Sequence, residues 1–415
     1  MAEPRVVEEF RKWAAENQTY IHPALAFVPT PSGHSVCAKS EIPPDIKVLS
    51  CPFNVAITAP LSKFAIESLL PGIASTLAGW NERQLVCTYI IFHLVWSKIK
   101  SSSLPSVLKH LPYISTLPPP SKLLTPLYFS QPEFDLLEGS NLYPATIQRR
   151  KDWQTEWKGC VEAVTSADEE LGAAFTWDRY LASATYLSSR AFPSTLLSPT
   201  PTNTSPETSH PVLLPGIDSL NHKRATPVSW VSSTGERDTL DLVLHQPVPQ
   251  GSECFNNYGP KPNSELILGY GFAIPSNPDD TIILSLASSN STGGIAVEIG
   301  REGRGAEKLW DVVVEKVKDM YGEEEGEDWE IELEAAETVI DLTQKRLQKL
   351  PATESNVEGA RKEVLEMVGY YLEGQRAVLG ELIQWSQLKR NEARDKAAAQ
   401  GIDVDLDEPV GDDEN

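Results

Sequence analysis

Long apolar runs are absent from this 415-residue sequence. The longest apolar stretch, residues 85–96, contains Thr88 and His93 and is too short to cross a bilayer. The opening residues, Met1-Ala-Glu-Pro-Arg5, lack the apolar segment of a secretory signal. The sequence therefore predicts a soluble intracellular protein with no membrane partner.

Cysteine is scarce, and no two cysteines have the CxxC spacing. A disulfide framework and a cysteine-rich zinc site are both disfavoured by this pattern, which indicates a reducing compartment. The histidines are scattered as well, so we expect no metal. The cysteines are Cys37, Cys51, Cys87, Cys160 and Cys254.

Basic residues are outnumbered, with 36 Lys and Arg against 58 Asp and Glu and a formal net charge of −22. A nucleic-acid partner is disfavoured, because such binders must neutralise phosphates. A basic partner, such as a lysine-rich protein tail, would be attracted by this field. Solubility alone is the alternative explanation of the charge.

Glycine-rich strand–turn–helix motifs and long parallel-sheet patterns are absent, which disfavours Rossmann and P-loop folds. Short β-prone segments instead alternate with helical stretches, and the length predicts two or three lobes. We predict an N-terminal helix (1–19), a mixed domain (20–285) with a helical insert at about 61–188, a helical lobe (286–395) and an acidic disordered tail (396–415).

Several local signals are sharp enough to predict single elements. Thr176 is a candidate N-cap for a helix over 177–189. Alternating leucines predict a strand over 239–245, and Ser355-Asn-Val-Glu358 matches a capping box that would open a long helix. The Pro/Ser/Thr-rich segment 193–212 is predicted to be a loop.

Three clusters of residues could carry chemistry. Asp218-Ser-Leu-Asn221-His222 follows an apolar segment and is either a self-bonded Asx turn or a strand end that faces a ligand. Two Tyr-Gly pairs, at 258–259 and 270–271, are either aromatic turn anchors or points where a ligand approaches the backbone. Arg190 is a lone arginine between a helix and a strand, and most such arginines are surface or salt-bridge residues.

Taken in order, these motifs resemble the SET-domain protein methyltransferases, in the Rubisco large-subunit methyltransferase-like branch that includes fungal ribosomal-protein lysine methyltransferases. The resemblance covers roughly residues 20–390. The motifs that carry it are Gly33-His34-Ser35, Ser189-Arg190-Ala-Phe192, Asp218-Ser-Leu-Asn221-His222, Asn257-Tyr258-Gly259 and Tyr270-Gly-Phe272.

The resemblance implies an α+β protein, with a knot-like SET β-fold split by a helical insert and an all-helical C-terminal lobe. It implies S-adenosyl-L-methionine as the cofactor and methylation of lysine on a basic protein, such as a ribosomal protein. The implied protein is a monomer in the cytoplasm or nucleus. Two alternatives stay open, namely a protein-histidine N-methyltransferase and a catalytically silent SET-fold binding module.

The resemblance also implies residue roles. Tyr258 and Tyr270 would be catalytic. The cofactor carboxylate would be held by Arg190, and the amino-acid end or the adenine by Asn221 and the backbone of His222. The remaining cofactor residues would be Asp218, which braces this turn, Phe272, which packs on the adenine, and the early loop of Gly33, His34 and Ser35. Ser35 departs from the glycine that is frequent in the family, and serine adopts positive φ at greater cost.

Overall fold

The computed structural model describes residues 3–31, 33–198, 209–233, 238–286, 295–321, 326–352 and 357–404. Its helices are α1 (Arg5–Glu16), α2 (Ala59–Leu69), α3 (Ala74–Leu77), α4 (Glu82–Lys100), α5 (Leu111–Ile114), α6 (Gln131–Asp135), α7 (Leu142–Ala167), α8 (Glu169–Ala174), α9 (Trp177–Arg190), α10 (Asn263–Tyr270), α11 (Ala306–Tyr321), α12 (Asp328–Lys349) and α13 (Lys362–Ala399). Its strands are β1 (Tyr20–Ile21), β2 (Leu25–Thr30), β3 (Gly33–Ala38), β4 (Ile46–Pro52), β5 (Phe192–Pro193), β6 (Pro211–Val212), β7 (Asn221–His222), β8 (Val228–Ser233), β9 (Thr239–Leu244), β10 (Phe255–Asn256), β11 (Thr281–Leu286) and β12 (Ile295–Gly300).

The described residues divide into two compact units. The first unit contains 1–128, 147–260 and 269–271, and the second contains 129–146, 261–268 and 272–415. These two units are defined by contacts between residues. They do not test the domain boundaries proposed from the sequence, which stay predictions. None of the described helices has the length and apolarity that crossing a bilayer requires.

Short strands form the β part of the first unit, and all of their pairings among the described residues are antiparallel except that of β7 with β10. Four of them make a sheet in the order β1-β4-β9-β8, and β2 pairs with β3. The predicted alternation in β9 is confirmed, since Leu240, Leu242 and Leu244 are all buried. Asp241, between them, is buried too, and it accepts hydrogen bonds from Ser233 and Thr239.

Side chains cap the starts of two long helices in the first unit, and the second of these caps was predicted from the sequence. Asn81 and Gln84 form a capping box at the start of α4, whose central residues are buried. Thr176 caps α9, since its hydroxyl accepts from the backbone N–H of Arg179 at 3.4 Å. The helix that this cap starts ends at Arg190.

Two buried histidines bond as neutral rings in the first unit. The Nε2–H of His110 donates to the carbonyl of Val55 at 3.0 Å, so its Nδ1 accepts from the Tyr89 hydroxyl at 2.6 Å. His93 Nδ1–H donates to the carbonyl of Tyr89 at 2.7 Å, and its Nε2 accepts from the His110 backbone at 3.1 Å. A second proton on His93 Nε2 would face the backbone N–H of His110, which is itself a donor.

We expect these histidines to make the fold acid-sensitive above the range in which carboxylates titrate. Burial lowers the pKa of His93 to about 4 and that of His110 to about 3. Between the unfolded pKa of about 6.5 and these values the unfolded chain binds more protons, so the free energy of unfolding falls as pH falls. Each ring contributes up to about 1.4 kcal/mol per pH unit. Urea denaturation at pH 7 and pH 5 measures the loss, and equal stability at both would contradict it.

The second unit joins a hairpin to long helices. Strands β11 and β12 pair antiparallel, and Gln375 of α13 donates to the carbonyl of Thr281 at 2.9 Å. Strand β12 adds a strand to the range 286–395, which was assigned to a helical lobe. Tyr371 is fully buried, and its hydroxyl accepts from the backbone of Leu142 at 3.3 Å.

The start of α13 differs from the prediction. Ser355 and Asn356 of the proposed capping box lie outside the described residues, and the helix begins only at Lys362. Its N-cap, Arg361, is held by Glu133, which accepts from the backbone N–H and from two guanidinium nitrogens, each at 2.8 Å. A long-range ion pair fixes this helix start, which local spacing does not reveal.

Two predicted irregular segments are only partly described. Residues 199–208 of the 193–212 loop lie outside the described part, but the loop's ends are joined, because β5 pairs with β6. At the C-terminus, α13 runs to Ala399, and residues 405–415 of the proposed tail are outside the described part.

Candidate active site

A buried ion pair lies at the end of α9. The Arg190 Nη1 is 3.2 Å from Asp218 Oδ2 and donates to the Asp218 backbone carbonyl at 3.1 Å. The Tyr113 hydroxyl donates to the same Oδ2 at 2.8 Å. Asp218 is 1% exposed and Arg190 27%, so the arginine can still reach a bound molecule.

Both members of this pair are affected by burial, and one carboxylate oxygen of Asp218 has no donor among the described residues. Burial lowers the pKa of Arg190, but the Asp218 carboxylate outweighs it and the pKa is raised, which keeps the guanidinium charged. Burial raises the pKa of Asp218, and Arg190 and Tyr113 oppose that rise. Asp218 Oδ1 is buried without a hydrogen-bond partner in the described part of the chain. Such an atom is costly to bury, and a ligand that donates to it would be stabilised.

Three aromatic rings stack beside this pair. Strand β7 runs parallel to β10, so that Asn221 pairs with Phe255 just before the chain reaches Tyr258. The Tyr258 ring stacks on His222 at 5.0 Å and on Tyr270 at 5.2 Å, with interplanar angles of 24° and 26°. The first and second sequence clusters are thereby brought into one site.

Tyr258 is held at both ends. Its backbone N–H donates to His222 Nδ1 at 2.9 Å, and its hydroxyl donates to the Leu220 carbonyl at 2.9 Å. Burial raises the pKa of this phenol, so it stays a neutral donor at physiological pH. The ring therefore has one fixed orientation against the Asp218–Asn221 turn.

The early loop also reaches the site. Gly33 has φ +142°, a value that favours glycine, whereas Ser35 lies in regular β3 opposite Val28 and is not among the residues with positive φ. The departure from glycine at Ser35 thus brings no backbone strain. Burial, with Lys122 and Arg190, lowers the pKa of His34, which places its ring in the field of Arg190.

Solved structures share the fold of this chain over nearly its whole length. One is the SET domain of LSMT bound to lysine and AdoHcy, with a TM-score of 0.73, 18% identity, and coverage of 94% of this chain and 92% of that one. Another is Rubisco LSMT bound to sinefungin and monomethyllysine, with a TM-score of 0.72, 18% identity, and coverage of 97% and 98%. This chain has the SET-domain fold.

Curated relatives agree with this SET-domain assignment. Ribosomal lysine N-methyltransferase set10 of Schizosaccharomyces pombe is 33% identical over 287 residues, 68% of this chain and 48% of the relative. Protein-lysine N-methyltransferase EFM1 of Saccharomyces cerevisiae is 26% identical over 334 residues, 70% and 54% respectively. The chain spans about half the length of these relatives. No protein-family model matches it. The predicted SET resemblance and the α+β class are confirmed.

The SET domain gathers most of the predicted site residues. Arg190 is linked by charge to His34 and Tyr258 and by hydrogen bonds to Asp218, and Tyr258 in turn stacks on Tyr270. The roles of these residues stay predictions. Phe272 belongs to the second unit, so its packing on adenine also stays a prediction. Sequence analysis missed Tyr113, which has no motif around it, and Glu253, which accepts from Asn221 at 2.7 Å.

The glycines of the two Tyr-Gly pairs differ in how closely other backbone atoms approach them, and alanine substitutions test this difference. Gly271 has φ +79°, and an added Cβ would lie 2.9 Å from the Leu124 carbonyl carbon. Gly259 has φ +89° with nothing within 4 Å of such a Cβ. We expect Gly259→Ala to cost about 1–2 kcal/mol from strain alone, and Gly271→Ala to cost clearly more. Thermal denaturation of both variants measures the difference, and equal costs would contradict the close approach.

Proposed function

We propose that this chain is an S-adenosyl-L-methionine-dependent protein-lysine N-methyltransferase that acts on a basic protein, such as a ribosomal protein. The observation that carries the proposal is the stack of His222, Tyr258 and Tyr270 beside a charged arginine and a buried, unpartnered carboxylate oxygen. The names of set10 and of the LSMT complex with lysine support it. In this proposal 20–285 is the catalytic domain and the helical lobe docks the substrate protein.

The residues present fit the cofactor. Arg190 is a charged, partly exposed donor suited to the cofactor carboxylate. Asn221 and His222 lie on a strand edge beside it and supply side-chain and backbone groups for the polar ends, and the glycine φ at Gly33 lets a ligand approach the early loop. Phe272 would pack on the adenine. When bound, S-adenosyl-L-methionine supplies a methyl group carried on a positively charged sulfur.

Besides holding the cofactor, the site must favour the deprotonated form of the target lysine amine and align it. A lysine nitrogen must lose its proton before its lone pair can attack, which costs about 4.6 kcal/mol at pH 7 for a pKa of about 10.4. Walls made by Tyr258 and Tyr270 exclude water, and burial beside a cation lowers the amine pKa. The bond from the Tyr258 hydroxyl to the Leu220 carbonyl fixes this ring, which would help to align the amine with the methyl carbon.

The charge of the chain suits a basic substrate. A formal net charge of −22 attracts a lysine-rich segment and raises its encounter rate. A ribosomal substrate would place the protein in the cytoplasm, or in the nucleus.

Transfer of a labelled methyl group tests the proposal. Purified chain is incubated with methyl-tritiated cofactor and an extract of cells that lack the protein, and the labelled band is digested for mass spectrometry. We expect label on a lysine of a basic protein, and no label with the Tyr258→Phe protein. Label on histidine would favour the histidine methyltransferase instead. No label together with no cofactor binding would indicate a silent binding module.

A further inference from the structure

Asn221 has both of its amide hydrogens committed. Its Nδ2 donates to Glu253 Oε1 at 2.7 Å and to the Ser35 hydroxyl at 3.3 Å. An ionised carboxylate can only accept hydrogen bonds, so the NH₂ group of Asn221 must face Glu253. Glu253 thereby decides which way round this amide lies.

The opposite side of the amide is then an acceptor. Asn221 is exposed, and within the described part of the chain its Oδ1 has no hydrogen-bond partner. This oxygen can receive a hydrogen bond from an ammonium or hydroxyl group, and it repels a carboxylate. Arg190 in the same site has the opposite preference.

We propose that Glu253 is a positioning residue for cofactor recognition, acting through Asn221. It holds the amide so that Oδ1 meets the ammonium of the cofactor's amino-acid end, while Arg190 takes the carboxylate. This inference rests on the proposed function, and it assigns Asn221 to the amino-acid end rather than to adenine. Ser35 supports the same orientation from the early loop, through a side chain that glycine would lack.

The backbone around Glu253 is fixed independently of its side chain. Residue 253 forms an isolated bridge with Cys37, and the N–H of Cys254 donates to the Val36 carbonyl at 2.7 Å. Phe255 pairs with Asn221 two residues further on. Because main-chain bonds hold this strand in place, changing the Glu253 side chain should alter the Asn221 amide and leave the strand intact.

Calorimetry with two ligands tests the proposal. S-adenosylhomocysteine has the amino-acid end, and 5′-methylthioadenosine lacks it. We expect Glu253→Ala to weaken S-adenosylhomocysteine about tenfold, the effect of losing one well-placed hydrogen bond, and to leave 5′-methylthioadenosine unchanged. Glu253→Gln should fall between, because its amide can bond Asn221 in either orientation. Glu41→Ala, which removes one exposed carboxylate elsewhere, should match the wild type for both ligands.

A double-variant cycle completes the test. If Glu253 acts through Asn221, then Glu253→Ala adds no further loss to Asn221→Ala. Equal weakening of both ligands by Glu253→Ala, or weakening of neither, would overturn the proposal. Binding of neither ligand by the wild-type chain would overturn the proposed function, and the role of Glu253 with it.

Discussion

Tyr258→Phe is expected to lower turnover about 100-fold or more while the protein stays folded. The hydroxyl of Tyr258 donates to the Leu220 carbonyl at 2.9 Å, next to Asn221. Without that bond the ring keeps its stacking contacts but loses its fixed orientation beside the proposed path of the lysine amine. A positioned hydrogen-bond donor in an active site typically contributes about 10²–10³ to turnover. Initial rates with labelled cofactor measure the effect.

Two comparisons make the Tyr258 result interpretable. Tyr20→Phe removes a hydroxyl from an exposed tyrosine and should leave the rate unchanged. Circular dichroism should superimpose for the wild type and both variants. Normal turnover in folded Tyr258→Phe would remove Tyr258 from the mechanism, whatever the position of its ring.

Arg190→Met is expected to destabilise the fold by about 3–5 kcal/mol, and also to abolish cofactor binding. Removing one partner of a buried ion pair leaves the other partner's charge buried and uncompensated, and this isolated charge destabilises the fold. Here that charge belongs to Asp218, which is 1% exposed and already has one unpartnered oxygen. Chemical denaturation measures the first effect, and calorimetry with S-adenosylhomocysteine the second.

The double variant Arg190→Met/Asp218→Asn separates stability from binding. Removing both charges should restore much of the lost stability, because no isolated charge stays buried. Cofactor binding should stay absent, since methionine cannot hold a carboxylate. Recovery of binding together with stability would show that the pair only supports the fold.

Elements with strong local signals were predictable from the sequence. Thr176 starts α9 because its hydroxyl satisfies a backbone N–H, and the leucines of β9 alternate because one face is buried. The start of α13 was not predictable, since it depends on Glu133, which is distant in the sequence. The strand Ile295–Gly300 likewise depends on its partner β11.

The residues of the candidate site also fall into those that were predictable from the sequence and those that were not. Arg190, Asp218, Asn221 and Tyr258 were found because each lies in a short motif of an ordered set. Tyr113 donates to Asp218 from a helical insert that has no comparable pattern. Glu253 lies outside the motifs found in the sequence, because its importance depends on a hydrogen bond from the distant Asn221, which sequence spacing does not encode.

The parallel pairing of Asn221–His222 with Phe255–Asn256 affects how the protein is made. Strands of two residues have too few bonds to persist alone, and parallel pairs between distant segments form slowly. A chain still emerging from the ribosome has its arginine and its early loop long before Tyr270 is synthesised. The residues of the proposed site can therefore come together only after Tyr270 has been synthesised.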